Sequence, residues 1–465
     1  MTVMAAGMGR SRVFPRGMPR MIGLGTLGLL AGLGAPRLAA QAWALPGSDP
    51  VNIARSGTGV AYGNNLEATA LNPALLATLR DGNGAYLALG LEMQASNGTL
   101  QSNQDVLYAN DRNRVLPGLG LAWRLDPSVV LGLRMDEPFM RHARMPMAYT
   151  GRFQGQALDL ETRRFEGQAG WAYSPNWAFG ASLGLTRIQY SWDNMIRTVV
   201  LNPANGTNLG LMESDLHQAG DKLAPSYSLG FRWAPNSRWT VAGTYVATIK
   251  ASLPLAASYG PNGPSYYATS GYGPAPAGTA AAVKSGTRLA SGDGDIALPG
   301  KLTLGVRQRV NQVFTWEADL RYVLGSETEL PGYPVAIPAG GSAVSGSGQG
   351  TQFRSGLGLS VMGELNLGKL WILRLGGSLD PAFLPAAQVD PLAGGAKTAG
   401  LSGGVGWKGL GGEVDFGYQY RQTQNTDVVG LDGVWTASGY STVPGSATRV
   451  GGMGHLWSVG YRRTF

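Results

Sequence analysis

The chain has 465 residues, of which 71 are glycine, none is cysteine and only 14% are charged. The missing cysteines exclude disulfides, iron–sulfur clusters, thiolate zinc sites and cysteine nucleophiles, and a 44% apolar share with no three-residue glycine period excludes both disorder and collagen. The net charge of +8 suggests nucleic acid only until it is located: Arg10, Arg12, Arg16, Arg20 and Arg37 precede any acidic residue, and without those five the remainder carries +3.

The basic start reads as a secretory signal. Arginines precede an apolar run from Met21 to Ala35, and small residues at Ala40-Gln41-Ala42 and Ala42-Trp43-Ala44 offer cleavage sites. The run is short for a membrane helix, which needs about 20 residues. Residues 43–82 follow, with Ser56-Gly57-Thr58-Gly59-Val60-Ala61-Tyr62-Gly63 and then Asn72-Pro73-Ala74-Leu75-Leu76. They are too apolar for a solvated tail and lack strand or helix period, so a segment folded into a larger body is expected.

From residue 83 onward the chain alternates large apolar residues with small or polar ones. Leu87/Leu89/Leu91/Met93, Leu119/Leu121/Trp123/Leu125, Trp177/Phe179/Ala181/Leu183/Leu185, Tyr227/Leu229/Phe231/Trp233, Leu302/Leu304/Val306 and Val414/Phe416/Tyr418/Tyr420 are examples. Short turns are predicted at Asp126-Pro127, Ser174-Pro175-Asn176, Pro235-Asn236-Ser237, Asn311-Gln312, Asn366 to Lys369 and Lys408 to Gly411. They alternate with long connections near 96–114, 138–162, 191–223, 251–299, 325–351, 380–398 and 422–454. Fourteen antiparallel strands result, with both termini on the short-turn side, the layout of a bacterial transmembrane β-barrel. Hydrocarbon offers backbone groups no partners, so without an apolar helix only a closed barrel can cross it. Trp123, Trp171, Trp177, Trp233, Trp239, Trp371 and Trp407 are placed for an interfacial girdle, and Tyr461 and terminal Phe465 in the last strand look like the signal read by barrel assembly machinery. The expected organisation is a cleaved signal over 1–42, an N-terminal plug over 43–82 and an all-β barrel over 83–465.

With these features in place, the chain resembles the FadL/TodX outer-membrane transporters of long-chain fatty acids and hydrocarbons. The run into Asn72-Pro73-Ala74 is similar to that family's hatch segment, with Leu75 where glycine is usual. Asp136-Glu137-Pro138-Phe139 resembles its Ser-Pro-Phe-Gly stretch after the third strand, although Glu137 and Met140 depart from it, and Tyr149 to Phe153 its Gly-Arg region. Leu298-Pro299-Gly300 is similar to the opening of the family's ninth strand, and Trp371 to Asp390 to its twelfth strand and following loop. The resemblance implies a lumen closed by a hatch that includes Gly57, Gly59, Gly63, Asn72, Pro73 and Ala74. It also implies passive entry of hydrophobic ligands from outside and sideways release through a wall gap near Asp136 to Phe139. The residues alone leave a second reading of Pro138, as the start of the second long connection at the strand's outer end.

A carboxylate ligand would call for an inward cation, and Arg134, Arg307 and Arg309 are candidates beside Arg164, Arg232 and Arg374. Such arginines equally suit salt bridges to Glu166, Glu317 or Asp319. His142, His217 and His455 lie in no catalytic pattern, so no enzyme, metal site or cofactor is expected. The expected partners are a hydrophobic small molecule, outer-membrane lipids and the assembly machinery, with no nucleic acid, and the expected state is a monomer. The rival functions are a structural or adhesive surface barrel and a general porin, which has no use for an apolar plug.

Overall fold

The computed structural model describes residues 44–465 apart from 64, 80–82, 101–105, 109–112, 147–154, 202–207, 269–270, 274–286, 332, 336–343, 347–352, 386–388, 390–391, 393, 430–432, 437–438 and 443–446. Two sequence features lie outside these residues, the signal segment 1–42 and Tyr149 to Phe153, as does Asp390 at the end of the Trp371 to Asp390 stretch.

The strands form fourteen crossings. They are β1 (Gly84–Leu100), β2 (Arg114–Arg124), β3 (Val129–Asp136 and Met140–Arg144), β4 (Ala157–Ala172), β5 (Trp177–Leu201), β6 (Asn208–Trp233) and β7 (Trp239–Val246 and Ile249–Ala268). The remainder are β8 (Thr287–Leu298 and Lys301–Arg309), β9 (Phe314–Val323), β10 (Gly356–Leu367), β11 (Trp371–Asp380), β12 (Thr398–Gly409), β13 (Gly412–Val429) and β14 (Ala447–Thr464). Neighbours pair antiparallel, and β1 pairs with β14 from Gly84↔Thr464 to Leu100↔Thr448, which closes the sheet into a barrel.

Alternation dictates which face is wet by lipid. Leu87, Leu89, Leu183, Leu185, Leu304 and Leu375 point outward and are exposed, while the residues between them turn inward. All seven predicted tryptophans flank short turns and so form a girdle at that end alone, where Trp177 and Trp233 stack across the β5–β6 pair at 5.6 Å between centroids.

The six short turns stand where the sequence puts them, and local chemistry explains why. Asp126 Oδ1 accepts from the backbone N–H groups of Ser128 and Val129, at 2.6 and 2.9 Å. Asn236 and Asn311 do the same for the residues that open β7 and β9. Leu410 and Gly411, at φ 54° and 71°, make the two-residue turn whose twist suits a hairpin.

The long connections differ from expectation. Much of 191–223, 251–299 and 422–454 is strand, because β5, β6, β7, β13 and β14 continue as ribbons beyond the apolar belt. The ladder persists there, aided by the Arg187–Asp221 and Arg449–Asp427 pairs. Leu298-Pro299-Gly300 falls inside the eighth crossing rather than opening a ninth, and Trp371–Asp380 is the eleventh crossing rather than the twelfth.

Candidate functional site

Residues 44–79 lie inside the barrel. They form α1 (Pro50–Ala54), capped by Asp49, and two 3-10 turns, Glu67–Ala70 and Pro73–Thr78. The absence of a long period in this stretch is thus real: each element is one or two turns, too short to stand without a wall.

The wall holds the segment with polar side chains where β9 and β10 turn inward. Asp319 accepts from Gly59 and Val60 N–H at 2.8 and 3.2 Å, and Glu317 from Ala61 N–H at 2.7 Å. Glu317 and Asp319 therefore serve plug backbone rather than arginines. Arg55, fully buried, donates to Glu364 at 2.8 Å and lies 3.5 Å over the Tyr62 ring, whose hydroxyl also donates to Glu364. Arg374 gathers Glu364, Glu413 and Asp415, and Arg462 binds Glu67 at 2.6 Å and Glu413 at 2.8 Å. Within this arginine–carboxylate set each buried charge is met by an opposite one, without which burial would cost several kcal/mol.

Glycines clear the space. A Cβ at Gly180 would overlap the backbone of Pro73 and Ala74, and one at Gly230 would overlap Asn72 Oδ1. Asn72 uses the room fully: its Oδ1 accepts from Ala74 N–H at 3.0 Å, and its Nδ2 donates to Val60 O and Phe231 O at 2.9 and 3.1 Å. Asn-Pro-Ala is thus a cap, a helix-starting proline and a small residue pressed on the wall. Gly57 and Gly59 sit at φ 73° and 155°, which a side chain would strain; Gly63 faces Thr78, where a Cβ would stand 2.9 Å from Oγ1. Asp49 is buried with Glu67 nearby, and burial first and that charge second push its carboxyl up to about 7.

Toward the long connections the lumen changes character. Phe139, Met145, Leu158, Leu160, Ile188 and Tyr190 join Leu253, Leu255, Ile296, Leu298, Phe353 and Phe383 in one buried apolar cluster. Its floor meets the plug segment.

The wall is interrupted beside this cluster. Pairing of β3 with β2 ends at Met135↔Leu119, so Arg114 to Gly118 of β2 have no β3 partner. Glu137 and Pro138 break β3, which then resumes as Met140–Arg144 on β4 alone. Pro138 accordingly does not start a loop; it bends a strand that continues inward, as a residue without an N–H does where a ladder stops. The start of the plug segment fills the gap. Ala44 bridges to Phe139, Leu45 N–H donates to Pro138 O at 3.1 Å, and Leu45 packs with Leu116 and Met140. Leu45 carried no signal in the sequence, because its partners lie about seventy to a hundred residues away.

The candidate carboxylate cations separate. Arg134 is bound by Asp136 and Glu166, both at 3.1 Å, and Arg164 by the same two acids. Arg309 is exposed beside a short turn, outside any lumenal pocket. Arg307 faces inward and stacks 4.2 Å over Tyr62, with no carboxylate partner among the described residues, but it lies under the plug rather than in the apolar cluster. Sequence reading missed Lys301. It shares the lumenal face with Thr303 and Gly305, is three residues below Leu298, and has no carboxylate partner among the described residues. Its spacing of two from Thr303 was the available signal.

A family model described as an outer membrane protein transport protein (OMPP1/FadL/TodX) matches residues 37–465. The chain belongs to that family. It is a multi-pass β-barrel of the bacterial outer membrane, and its short turns face the periplasm. A Pseudomonas aeruginosa FadL homologue superposes with a TM-score of 0.70 at 16% identity, over 91% of this chain and 99% of that one. The Pseudomonas putida toluene transporter TodX gives 0.62 at 15%, over 90% and 99%, and the monoaromatic hydrocarbon channel CymD 0.59 at 17%, over 90% and 98%. No curated protein matches the chain in sequence.

Proposed function

We propose that this barrel admits hydrophobic molecules, long-chain fatty acids or hydrocarbons, from outside by passive diffusion and releases them sideways at the β3 break. The plug segment 44–79 acts as its hatch, and the protein catalyses no reaction. The observation that carries the reading is the gap beside Pro138, which opens on the apolar cluster and is filled by Leu45 of the plug. An acyl chain gains about 0.8 kcal/mol per buried methylene, so the cluster can collect it from dilute solution, and a side exit spares it periplasmic water. Asp136 to Phe139 shape the exit. Gly57, Gly59, Gly63, Asn72, Pro73 and Ala74 seat the hatch, so that withdrawing Ala44 and Leu45 opens the gap without emptying the lumen. A polar porin or an adhesive barrel gives no reason for that gap.

The chain lacks cysteine, so an introduced pair is unambiguous. Antiparallel bridge partners lie about 4.5–5.5 Å apart at Cα, within disulfide reach. Ala44→Cys with Phe139→Cys should lock the exit and lower uptake of radiolabelled oleate by cells, with recovery on reduction. Unchanged oleate uptake with the bond fully formed would sink this route. Lys301 is proposed to meet the carboxylate: Lys301→Leu should slow oleate by roughly tenfold, the scale of one charge-assisted bond, and leave toluene unchanged.

A further inference from the structure

A second interruption lies four strands further round the barrel, between β6 and β7. Pairing runs from Trp233↔Val241 to Ser228↔Val246, Ala247 N–H donates to Tyr227 O at 3.1 Å, and the ladder then stops. It resumes only at Ala219↔Ala256. Between those points Asp221 to Ser226 of β6 have no partner on β7, and Ile249 to Leu255 of β7 pair with β8 alone. The upper part of β8 is itself free of β9, whose ladder ends at Val323↔Lys301. A two-stranded arm, Ile249 to Leu255 with Gly292 to Leu298, has thus left the wall.

The arm turns inward. Ile249, Leu253, Leu255, Ile296 and Leu298 are all buried in the apolar cluster, and Ala224 of β6 joins them there. Outside, Leu185, Leu223 and Tyr227 flank the lower part of the unpaired stretch and are exposed, which places that part in the apolar belt, while its upper end at Asp221 pairs with Arg187.

The two interruptions share a design. The lower parts of β3 and β7 each have 8 residues, so both breaks stand at one height above the periplasmic turns, about 20 Å for strands tilted roughly 40°. Each also carries a proline on both lips: Pro117 and Pro138 at the first, Pro225 and Pro254 at the second. Proline cannot donate to a ladder, which favours an open seam over a zipped one. They differ in what fills them. The first holds Leu45 of the hatch; the second is filled by its own arm, with Leu255 Cδ2 2.9 Å and Pro254 O 3.1 Å from where a Cβ on Gly220 would stand.

We infer that the seam between β6 and β7 is a second lateral portal, connecting the apolar cluster with the membrane and gated by Leu253 and Leu255 instead of the hatch. The chamber face of the arm is wholly apolar, so the portal suits uncharged hydrocarbons rather than carboxylates. This inference rests on the transport reading above.

The test uses the full chain in cells with toluene as probe. Ser226→Cys with Thr248→Cys, which the register of the lower ladder sets opposite each other, are joined by a disulfide or a bismaleimide, and joining is verified by mass and barrel assembly by heat-modified gel mobility. The Ala44/Phe139 lock alone should leave part of the toluene uptake, and adding the second staple should remove the rest. Complete loss with the first lock alone would overturn the second portal, and so would a verified second staple without effect. An unlocked protein no faster than an empty-vector strain would instead overturn the transport reading itself.

Discussion

The periplasmic and outer halves of the lumen are built from opposite materials. Below, Arg55, Arg374 and Arg462 bind Glu67, Glu364, Glu413 and Asp415, and a hatch backbone rests on glycine. Above, an apolar cluster rich in Leu, Ile and Phe takes in Ala44 alone of the N-terminal segment. A segment that must sit in one place needs directional bonds, whereas the proposed route for apolar solutes needs only their absence. Position and permissiveness are divided between the two halves, and the wall breaks lie at their boundary.

Removing the centre of the polar half should cost most. Arg374→Ala leaves Glu364, Glu413 and Asp415 without their shared cation, and the expected loss is about 3–5 kcal/mol. Urea titration of the purified barrel, read by gel mobility, measures it; a change below about 1 kcal/mol would mean that water reaches this cluster and the halves are less distinct than drawn.

Asp49 tests the same half by pH. Its carboxyl titrates near 7 when the hatch is seated and near the ordinary 3.8 when it is released, so between those values the seated form holds the extra proton. Seating is therefore strongest below about 4, weakens by on the order of 1 kcal/mol per unit as pH rises to about 7, and is level above. Asp49→Asn keeps the cap of α1 and should flatten that slope. Protease sensitivity of the hatch in detergent, followed from pH 4 to 8, reports it, and a hatch that tightens with rising pH contradicts the assignment.

A smaller effect is expected from the wall glycines. Gly180→Val pushes on the backbone of Pro73 and Ala74 and should loosen the hatch by about 1–3 kcal/mol while leaving β4, β5 and β6 paired. Leakage of a polar antibiotic should rise as toluene uptake stays. If leakage and uptake fall together, the substitution has damaged the barrel rather than its plug.

These contrasts also mark what a sequence reveals. Outward residues at β1, β5 and β9 must satisfy hydrocarbon, so alternation shows many of the crossings, and Asp126, Asn236 and Asn311 announce their turns through bonds two and three residues away. The candidate site is less legible. Asn72 is visible as a cap, and Arg134 as one member of a salt-bridge set, but Pro138 reads equally as a loop start until β4 is seen to pair on both sides of it. Ala247 and Thr248 give no local sign at all, since a seam is a property of two strands. Leu45 is legible only with Leu116 and Met140 in place.

The closing seam has a consequence for biogenesis. β14 meets β1 directly over the hatch, where Ser458 Oγ donates to Ser48 O at 3.0 Å and a Cβ on Gly460 would press Pro50 at 3.0 Å. The last strand made must therefore zip to the first across a segment translated before either. Threading the plug afterwards would mean reopening the cylinder, so sealing the wall and loading its stopper are a single step of manufacture.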